Sequence, residues 1–513
     1  MALLLQPWAF LLILVLFSYE YDVLQCSNAV EGTNRVFLYP QSPKVSSIVS
    51  NKYRTAYHFQ SPKNWINGPM YYNGIYHHFY QYNPNGSIWG DIVWGHSVSR
   101  DLINWIRLEP AIERTTPRDM NGCWSGSATI LNGDKPVIIY TGVDQEKRHV
   151  QNIVFPKNLS DPYLREWIKS DNNLVIQPIG KYLNSWQFRD PTTGWIGPDG
   201  LWRIAVGAQL INGHGVALFN GLDLSSVAIP SGAKYVFKMS LDNCDKYLIG
   251  AYDMASDTFI PDTIFDDRRL WLRIDYGNYY ASKSFFNPKR GRRIIWSWSN
   301  EADSSSDDVA KGWAGIHAIP NGKQLLQWPV EEIKSLRRNQ VSSIELKKGD
   351  LFEIKDIDTS QANASKDSGV GPFGLIVLAS DNMEEHTSVH LRVYKSQQQK
   401  NVILMCSDLR RSSLRPGLYT PAYGGFFEFD LDKEKKISLR TLIDRSVVES
   451  FGGGGRVCIV ARVYPRVLAL AVDGGTHMYV FNNGSSNIKI PRLEAWSMKR
   501  AQHKSIINVN KNK

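Results

Sequence analysis

What most constrains the fold of this chain is the scarcity of long helix-period segments and the recurrence of short apolar–aromatic runs. Those at 75–82, 136–143, 202–208, 292–298, 390–394 and 402–405 are bounded by Gly, Pro, Asn or Asp. β-Branched and aromatic side chains suit a pleated surface, and the bounding residues supply turn geometry. Short strands with turns at regular intervals point to a propeller, barrel or sandwich, and so to an all-β fold. At 513 residues the chain exceeds one ordinary core, so two domains are expected. Gln327-Trp328-Pro329 breaks a connector over 323–336, and the polar stretch 331–338 suits a short helix. The boundary is placed at 338, with a first domain over 50–338 and a second over 339–507. The small, polar stretch 360–371 reads as a loop.

Charge and cysteine usage narrow the function classes. The net charge of +10 is spread along the chain. The basic cluster Lys289, Arg290, Arg292 and Arg293 has no recognition motif beside it, so no nucleic-acid partner is expected. Dispersed positive charge suits adhesion to acidic cell-wall polysaccharide, which salt would weaken. Residues 2–17 are almost wholly apolar and precede Ser18 and Glu20, as in a secretory signal. Residues 1–29 are assigned to it, with cleavage after a small residue such as Ala29. The run is short for a membrane span, and no other segment is apolar enough, so no membrane partner is expected after its removal. Cys26, Cys123, Cys244, Cys406 and Cys458 are too widely spaced for a zinc site or a small disulfide scaffold. Asn85, Asn158, Asn363 and Asn483 open glycosylation triplets. His77 and His78 are adjacent on a strand pattern and so face opposite sides, which argues against a shared metal. The glycines at 452–455 lack a following Lys and read as a hairpin, not a phosphate loop.

Several motifs follow one another in order. They are Lys63-Asn64-Trp65-Ile66-Asn67-Gly68-Pro69-Met70, Tyr80-Gln81-Tyr82-Asn83-Pro84 with Trp89-Gly90, Gly122-Cys123-Trp124-Ser125-Gly126-Ser127, and Phe188-Arg189-Asp190-Pro191-Thr192-Thr193-Gly194-Trp195. Asp275-Tyr276-Gly277, Tyr280-Ala281-Ser282-Lys283, Lys311-Gly312-Trp313-Ala314-Gly315, Cys406-Ser407-Asp408 and the segment 443–452 continue the series. In content and order this resembles glycoside hydrolase family 32, the plant β-fructofuranosidases that include invertases and fructan exohydrolases. The resemblance covers most of 52–505. It implies a five-bladed β-propeller followed by a β-sandwich, with the active site at the propeller's axial mouth. Met239-Ser240-Leu241-Asp242-Asn243-Cys244-Asp245-Lys246-Tyr247 and Arg415-Pro416-Gly417-Leu418 look most like the cereal fructan 1-exohydrolases. Invertases tend to carry D-x-x-K at the first of these, where this chain has Asp242 and Asp245.

A retaining glycosidase needs two carboxyl groups about 5 Å apart, one attacking the anomeric carbon and one protonating the leaving oxygen. By resemblance, Asp190 stabilises the transition state through the sugar hydroxyls and Arg189 orients it. Trp65, Asn67, Gln81, Trp89, Trp124, Ser125 and Asp242 are implied to bind substrate. Two pieces of the family pattern are missing. Asn67 runs straight into Gly68, without the D-P-N that holds the nucleophile, and no Trp-Glu-Cys supplies the acid/base. Glu449 in Val448-Glu449-Ser450-Phe451 belongs to a second-domain strand pattern and is not expected to replace it. The unit 93–105 (Val93-Trp94-Gly95-His96-Ser97, then Ser99-Arg100-Asp101-Leu102-Ile103-Asn104-Trp105) has a second copy in the family. Here Asn220 passes directly to Gly221-Leu222-Asp223, so part of a blade is expected to be absent. The losses are discrete, with well-matched flanks. The expected function is release of terminal β-D-fructofuranosyl residues from fructan or sucrose by a secreted monomer of the apoplast or cell wall, with the vacuole as alternative. No cofactor or metal is implied. The rival reading is a catalytically inactive relative that binds sugar or regulates.

Overall fold

In the computed structural model the described residues are 53–60, 64–178, 183–197, 199–210, 213–223, 235–253, 255–256, 258–265, 271–318, 326–345, 370–395, 400–466, 476–484, 488 and 490–505. The signal assignment over 1–29 and Asn363 lie outside them, as do the side chains of Trp65 and Asn67.

Five sheets form the first domain, a five-bladed β-propeller. Blade 1 is β1 (Asn64–Tyr72), β2 (Ile75–Tyr82), β3 (Val93–Ser99) and β4 (Trp105–Arg107) in that order. Blade 2 is β5 (Cys123–Leu131), β6 (Lys135–Val143), β7 (His149–Pro156) and β8 (Trp167–Ile176). In blade 3, β9 (Leu183–Arg189) and β10 (Trp195–Ile196) both pair with β11 (Leu201–Leu210), which pairs with β12 (Gly213–Asp223). Blade 4 has β13 (Tyr235–Leu241) against β14 (Cys244–Asp253), and β14 also carries β15 (Thr258–Pro261) and β16 (Leu272–Arg273). Blade 5 is β17 (Tyr280–Asn287), β18 (Arg292–Ser299) and β19 (Ile316–His317). Among the described residues, β12 and β13 each end their sheet. The Asn220-Gly221 junction lies inside β12, which stays paired with β11 through a register shift between Leu201 and Arg203.

The sequence explains the blades locally. In β2 the run Ile75–Phe79 is buried on both faces, because the blade is covered by a neighbour on either side. His77 Nδ1 lies 3.1 Å from His96 Nε2 on β3, whereas His78 Nε2 lies 2.6 Å from His317 Nδ1 on β19. The adjacent histidines therefore face opposite sides. Burial pushes His77 and His317 down to about 3, so both are neutral in the core. The Ser99–Trp105 turn caps itself. Asp101 Oδ1 accepts from the N–H groups of Ile103 (3.0 Å) and Asn104 (2.7 Å), and Ser99 Oγ accepts from Leu102 N (2.9 Å).

A 3-10 helix over Glu331–Leu336 leads into β20 (Arg337–Glu345). From there the second domain, a β-sandwich, begins. One sheet has the order β24-β23-β22-β21-β28, built from β21 (Val370–Ala379), β22 (Thr387–Lys395), β23 (Asn401–Asp408), β24 (Ala422–Glu428) and β28 (His477–Asn482). Another is β25 (Leu439–Asp444), β26 (Val447–Gly452) and β27 (Val457–Arg462), and β20 pairs with β29 (Arg492–Met498). The glycines at 453–455 form the β26–β27 turn, all with positive φ. Finally β30 (His503–Ser505) returns to the propeller and pairs in parallel with β4.

The seam between the domains is tightly bonded. A shared core joins Phe59, Trp105, Trp296, Ile333 and Leu336 to Leu442 and Phe451. Asp444 accepts from the backbone N–H of Ala56 (2.6 Å), Tyr57 (2.8 Å) and His58 (2.9 Å). His58 Nδ1 lies 2.9 Å from Asp444, and its Nε2 is 3.5 Å from Glu449. Glu449 is thus committed to the seam. Gly277 touches β27 so closely that a Cβ there would sit 2.1 Å from Val460 O, which explains the glycine in Asp275-Tyr276-Gly277.

Candidate active site

The first strand of blade 1 shows what the shortened segment does. β1 pairs with β2 continuously except for an irregularity between Ile66 and Pro69, so Asn67-Gly68 is absorbed as a bulge. Gly68 lies against β5, where a Cβ would be 3.1 Å from the Ala128 N and Ser127 Cα atoms. β1 packs between β5 and β17, the first strands of blades 2 and 5. The strand is therefore placed at the propeller's centre without a carboxylate between Asn64 and Gly90.

Asp190 closes β9. Its φ of 67° lies in the left-handed region, and its carboxylate is about half exposed, at 49%. Arg189 Nε sits 3.7 Å from Asp190 Oδ2, and Arg189 Nη1 also donates to Gln187. The next residue ties the corner to two other blades: Pro191 O accepts from Ser127 Oγ at 2.8 Å and from Lys283 Nζ at 3.4 Å. Lys283 Nζ also donates to Ser127 Oγ at 3.2 Å. Burial pulls the Lys283 ammonium down to about 8, against the upward pull of Asp190 and Asp245. Burial and then the same two carboxylates push the Tyr280 hydroxyl up to about 12. Blades 2, 3 and 5 thus converge on Asp190.

An aromatic wall stands on the blade 2 side. Trp89, 46% exposed, meets half-buried Trp124 edge-on at 5.5 Å, and Trp124 meets His149 at 4.7 Å. Gly122 has a φ of 147°, and a Cβ there would lie 2.7 Å from Trp124 Nε1, so this glycine leaves room for the indole. Gln81 is buried on β2, opposite Trp65 in register. Gln81 Nε2 and Trp124 Nε1 are buried donors with no protein partner. Ser125 is half-buried beside Trp124 on β5.

Asp242 is placed differently from the other implied contacts. With Asn243 it forms the two-residue β13–β14 turn, at φ 53° and 55°. Its exposed carboxylate pairs with Lys246 at 3.1 Å and shares no hydrogen bond or ion pair with the Asp190 corner. Asp245, three residues on, is fully buried. It accepts from Ala281 N (3.0 Å), Ser282 N (2.6 Å) and Ser240 Oγ (2.6 Å), and pairs with Lys238 at 3.1 Å. These bonds fasten blade 4 to β17. Sequence reasoning gave no role to Lys283, although its Tyr-Ala-Ser-Lys motif was visible, and His149 carries no motif at all.

The glycosyl hydrolases family 32 N-terminal domain pattern matches residues 58–231 and 222–329, and the C-terminal pattern of that family matches 332–497. The chain belongs to glycosyl hydrolase family 32. Family 32 relatives match it along nearly their whole length. Beta-fructofuranosidase, insoluble isoenzyme 4, of Oryza sativa subsp. japonica is 65% identical, over 99% of this chain and 98% of the relative. Fructan 1-exohydrolase of Aegilops tauschii is 56% identical, over 99% of each. These alignments run over 590 and 598 residues, more than the 513 of this chain, so both relatives carry segments it lacks. The crystal structure of fructan 1-exohydrolase IIa from Cichorium intybus superposes with a TM-score of 0.79 at 40% identity, covering 89% of this chain and 99% of that one. A glutamate-to-glutamine variant of the same protein, in complex with 1-kestose, gives 0.80 at 40% identity over the same shares.

Proposed function

We propose that this chain acts on terminal, non-reducing β-D-fructofuranosyl residues of fructan or sucrose, as a β-fructofuranosidase of the fructan 1-exohydrolase or invertase kind. The observation that carries the reading is the Arg189-Asp190-Pro191 corner, tied by Ser127 and Lys283 to two neighbouring blades and joined to the Trp89–Trp124 pair through His149. A carboxylate suits a pair of sugar hydroxyls, and the indole faces suit the ring's apolar side. Gln81 Nε2 and Trp124 Nε1 are buried donors without a protein partner, which a water or a ligand oxygen would satisfy. Trp65, Asn67 and Ser125 fall in the same segments, so they belong to the proposed site, whereas Asp242 stands on a hairpin tip paired with Lys246.

A second reading is favoured by a specific observation: β1 supplies no nucleophile, and no Trp-Glu-Cys segment supplies the acid. The covalent fructosyl–enzyme route therefore lacks both of its reacting groups here. On this reading the chain binds a fructosyl unit without cleaving it. Fructose release from 1-kestose, inulin and sucrose, measured beside calorimetric binding, separates the two. Release that disappears in Asp190→Asn supports hydrolysis, binding without release supports the second reading, and neither signal refutes both.

Export to the apoplast or cell wall is proposed on the apolar leader, the net charge of +10 and the glycosylation triplets. Asn158 and Asn483 are exposed and suit glycan attachment, while Asn85 Nδ2 already donates to Asp91 at 3.0 Å, close in sequence to Trp89. A mass shift on glycan removal from secreted protein tests this.

A further inference from the structure

Asp190 sits in the left-handed backbone region, which Asp tolerates better than most residues with a Cβ, and contacts from outside its own strand hold it there. Three buried side chains of blade 2 reach across to β9. Thr141 Oγ1, on β6, accepts from Asp190 N at 3.0 Å and donates to Gln151 Oε1 at 3.0 Å. Gln151, the register partner of Thr141 on β7, donates through Nε2 to Phe188 O at 2.9 Å. His149, two residues before Gln151 on the same strand, accepts from Phe188 N through Nδ1 at 3.4 Å. Thr141 and Gln151 are fully buried, and His149 is 4% exposed.

We propose that Thr141, Gln151 and His149 are positioning residues that set the direction of the Asp190 carboxylate from the neighbouring blade. The proposal rests on the reading of Asp190 as a sugar contact. Each of the three acts on backbone atoms, so the Asp190 side chain stays half exposed and available to a ligand. Both Phe188 backbone groups and the Asp190 N–H are held, while Phe188 itself is buried in the blade 3 core. The β9 end is therefore fixed on either side of Arg189. His149 adds a second link: it also packs against Trp124, so the aromatic wall and the Asp190 corner share one support. Burial holds the His149 imidazole down at about 4, with Arg189 acting in the same direction, which leaves Nδ1 an acceptor at neutral pH. Thr141 is the critical member, since its hydroxyl serves Asp190 and Gln151 at once.

The test compares Thr141→Val, which keeps shape and removes the hydroxyl, with Thr141→Ser, which keeps the hydroxyl. Hydrogen exchange of the Asp190 amide, followed by mass spectrometry of peptides bracketing 188–192, reads the anchor without any ligand. Exchange should quicken about tenfold or more in Thr141→Val and stay within about twofold of wild type in Thr141→Ser, the span expected for one buried hydrogen bond. Calorimetry with 1-kestose should show a loss of about tenfold in affinity for the valine variant, restored by serine. Should Thr141→Val fail to fold, Thr141→Cys keeps the volume with only a weak acceptor and carries the same comparison. Unchanged exchange in the valine or cysteine variant overturns the anchor. Changed exchange with unchanged affinity overturns its role in positioning. If wild type binds no sugar, the functional reading fails, and the exchange result alone decides whether blade 2 holds the corner.

Discussion

Asp190 and Trp124 present opposite kinds of surface, a half-exposed carboxylate and an indole whose Nε1 is buried without a partner. Stacking on the sugar and donation to a hydroxyl should therefore be separable at Trp124. Trp124→Ala should weaken 1-kestose binding about tenfold or more, while Trp124→Phe keeps the stacking face and should lose only part of that, by calorimetry. Equal losses would assign the effect to the Nε1 donor, which both variants lack. Asp190 and Arg189 were legible because their motif is contiguous and stands in its place in an ordered series. Thr141, His149 and Gln151 were not, because their relation to Asp190 exists only once two blades lie side by side. Asp242 illustrates the reverse case. Its segment was recognisable, yet the positive φ of Asp242 and Asn243 marks a hairpin turn, and the residue that joins blades 4 and 5 is Asp245.

Among the elements, the strands of the sandwich that face the propeller carry the charged seam. Burial alone would lower the His58 imidazole, but the carboxylates of Glu449 and Asp444 overcome it and raise His58 to about 9. A group whose folded value lies above its ordinary 6.5 stabilises fully below pH 6.5, and that contribution is lost as pH rises through about 9. Thermal melts should therefore fall between these limits, and His58→Gln should flatten that limb while costing about 3 kcal/mol or more at neutral pH. A second bond set lies farther along the seam. Glu301 accepts from Arg462 at 2.6 and 3.1 Å, from Lys311 at 3.0 Å and from Gly315 N at 2.7 Å, and Tyr464 also donates to it. Although burial opposes ionisation, Arg462 and Lys311 hold the Glu301 carboxyl well below its usual range. Glu301→Gln leaves Arg462 without its counter-charge and should cost about 3 kcal/mol or more, splitting one calorimetric transition into two. A single unshifted transition would show that the core shared by Phe59, Trp296 and Phe451 suffices. The strand runs announced this all-β architecture. The seam was invisible in sequence, since His58 and Asp444 are 386 residues apart.

For the whole molecule, the consequence of the shortened segments is cooperative. The bulge at Asn67-Gly68 leaves β1 without a carboxylate at the centre, and β12, which contains the Asn220-Gly221 junction, and β13 each end their sheet among the described residues. Exposed sheet ends invite association, so the chain should melt less cooperatively and self-associate more than its longer relatives, as light scattering during heating would show. Inserting Asp-Pro-Asn after Asn67 should yield no fructose from 1-kestose, because the acid/base would still be missing. Release after that insertion alone would mean that another carboxyl group serves as acid. What persists in this chain is a corner built by three blades around Asp190, which we propose recognises a fructosyl unit. Titration of 1-kestose into wild type and Asp190→Asn tests that most directly, since Asn also tolerates the left-handed backbone and changes only the charge and donor pattern. The account predicts measurable binding by wild type and a loss of about tenfold or more in the variant. Equal affinity in the two proteins, or no binding by a folded wild type, would contradict it.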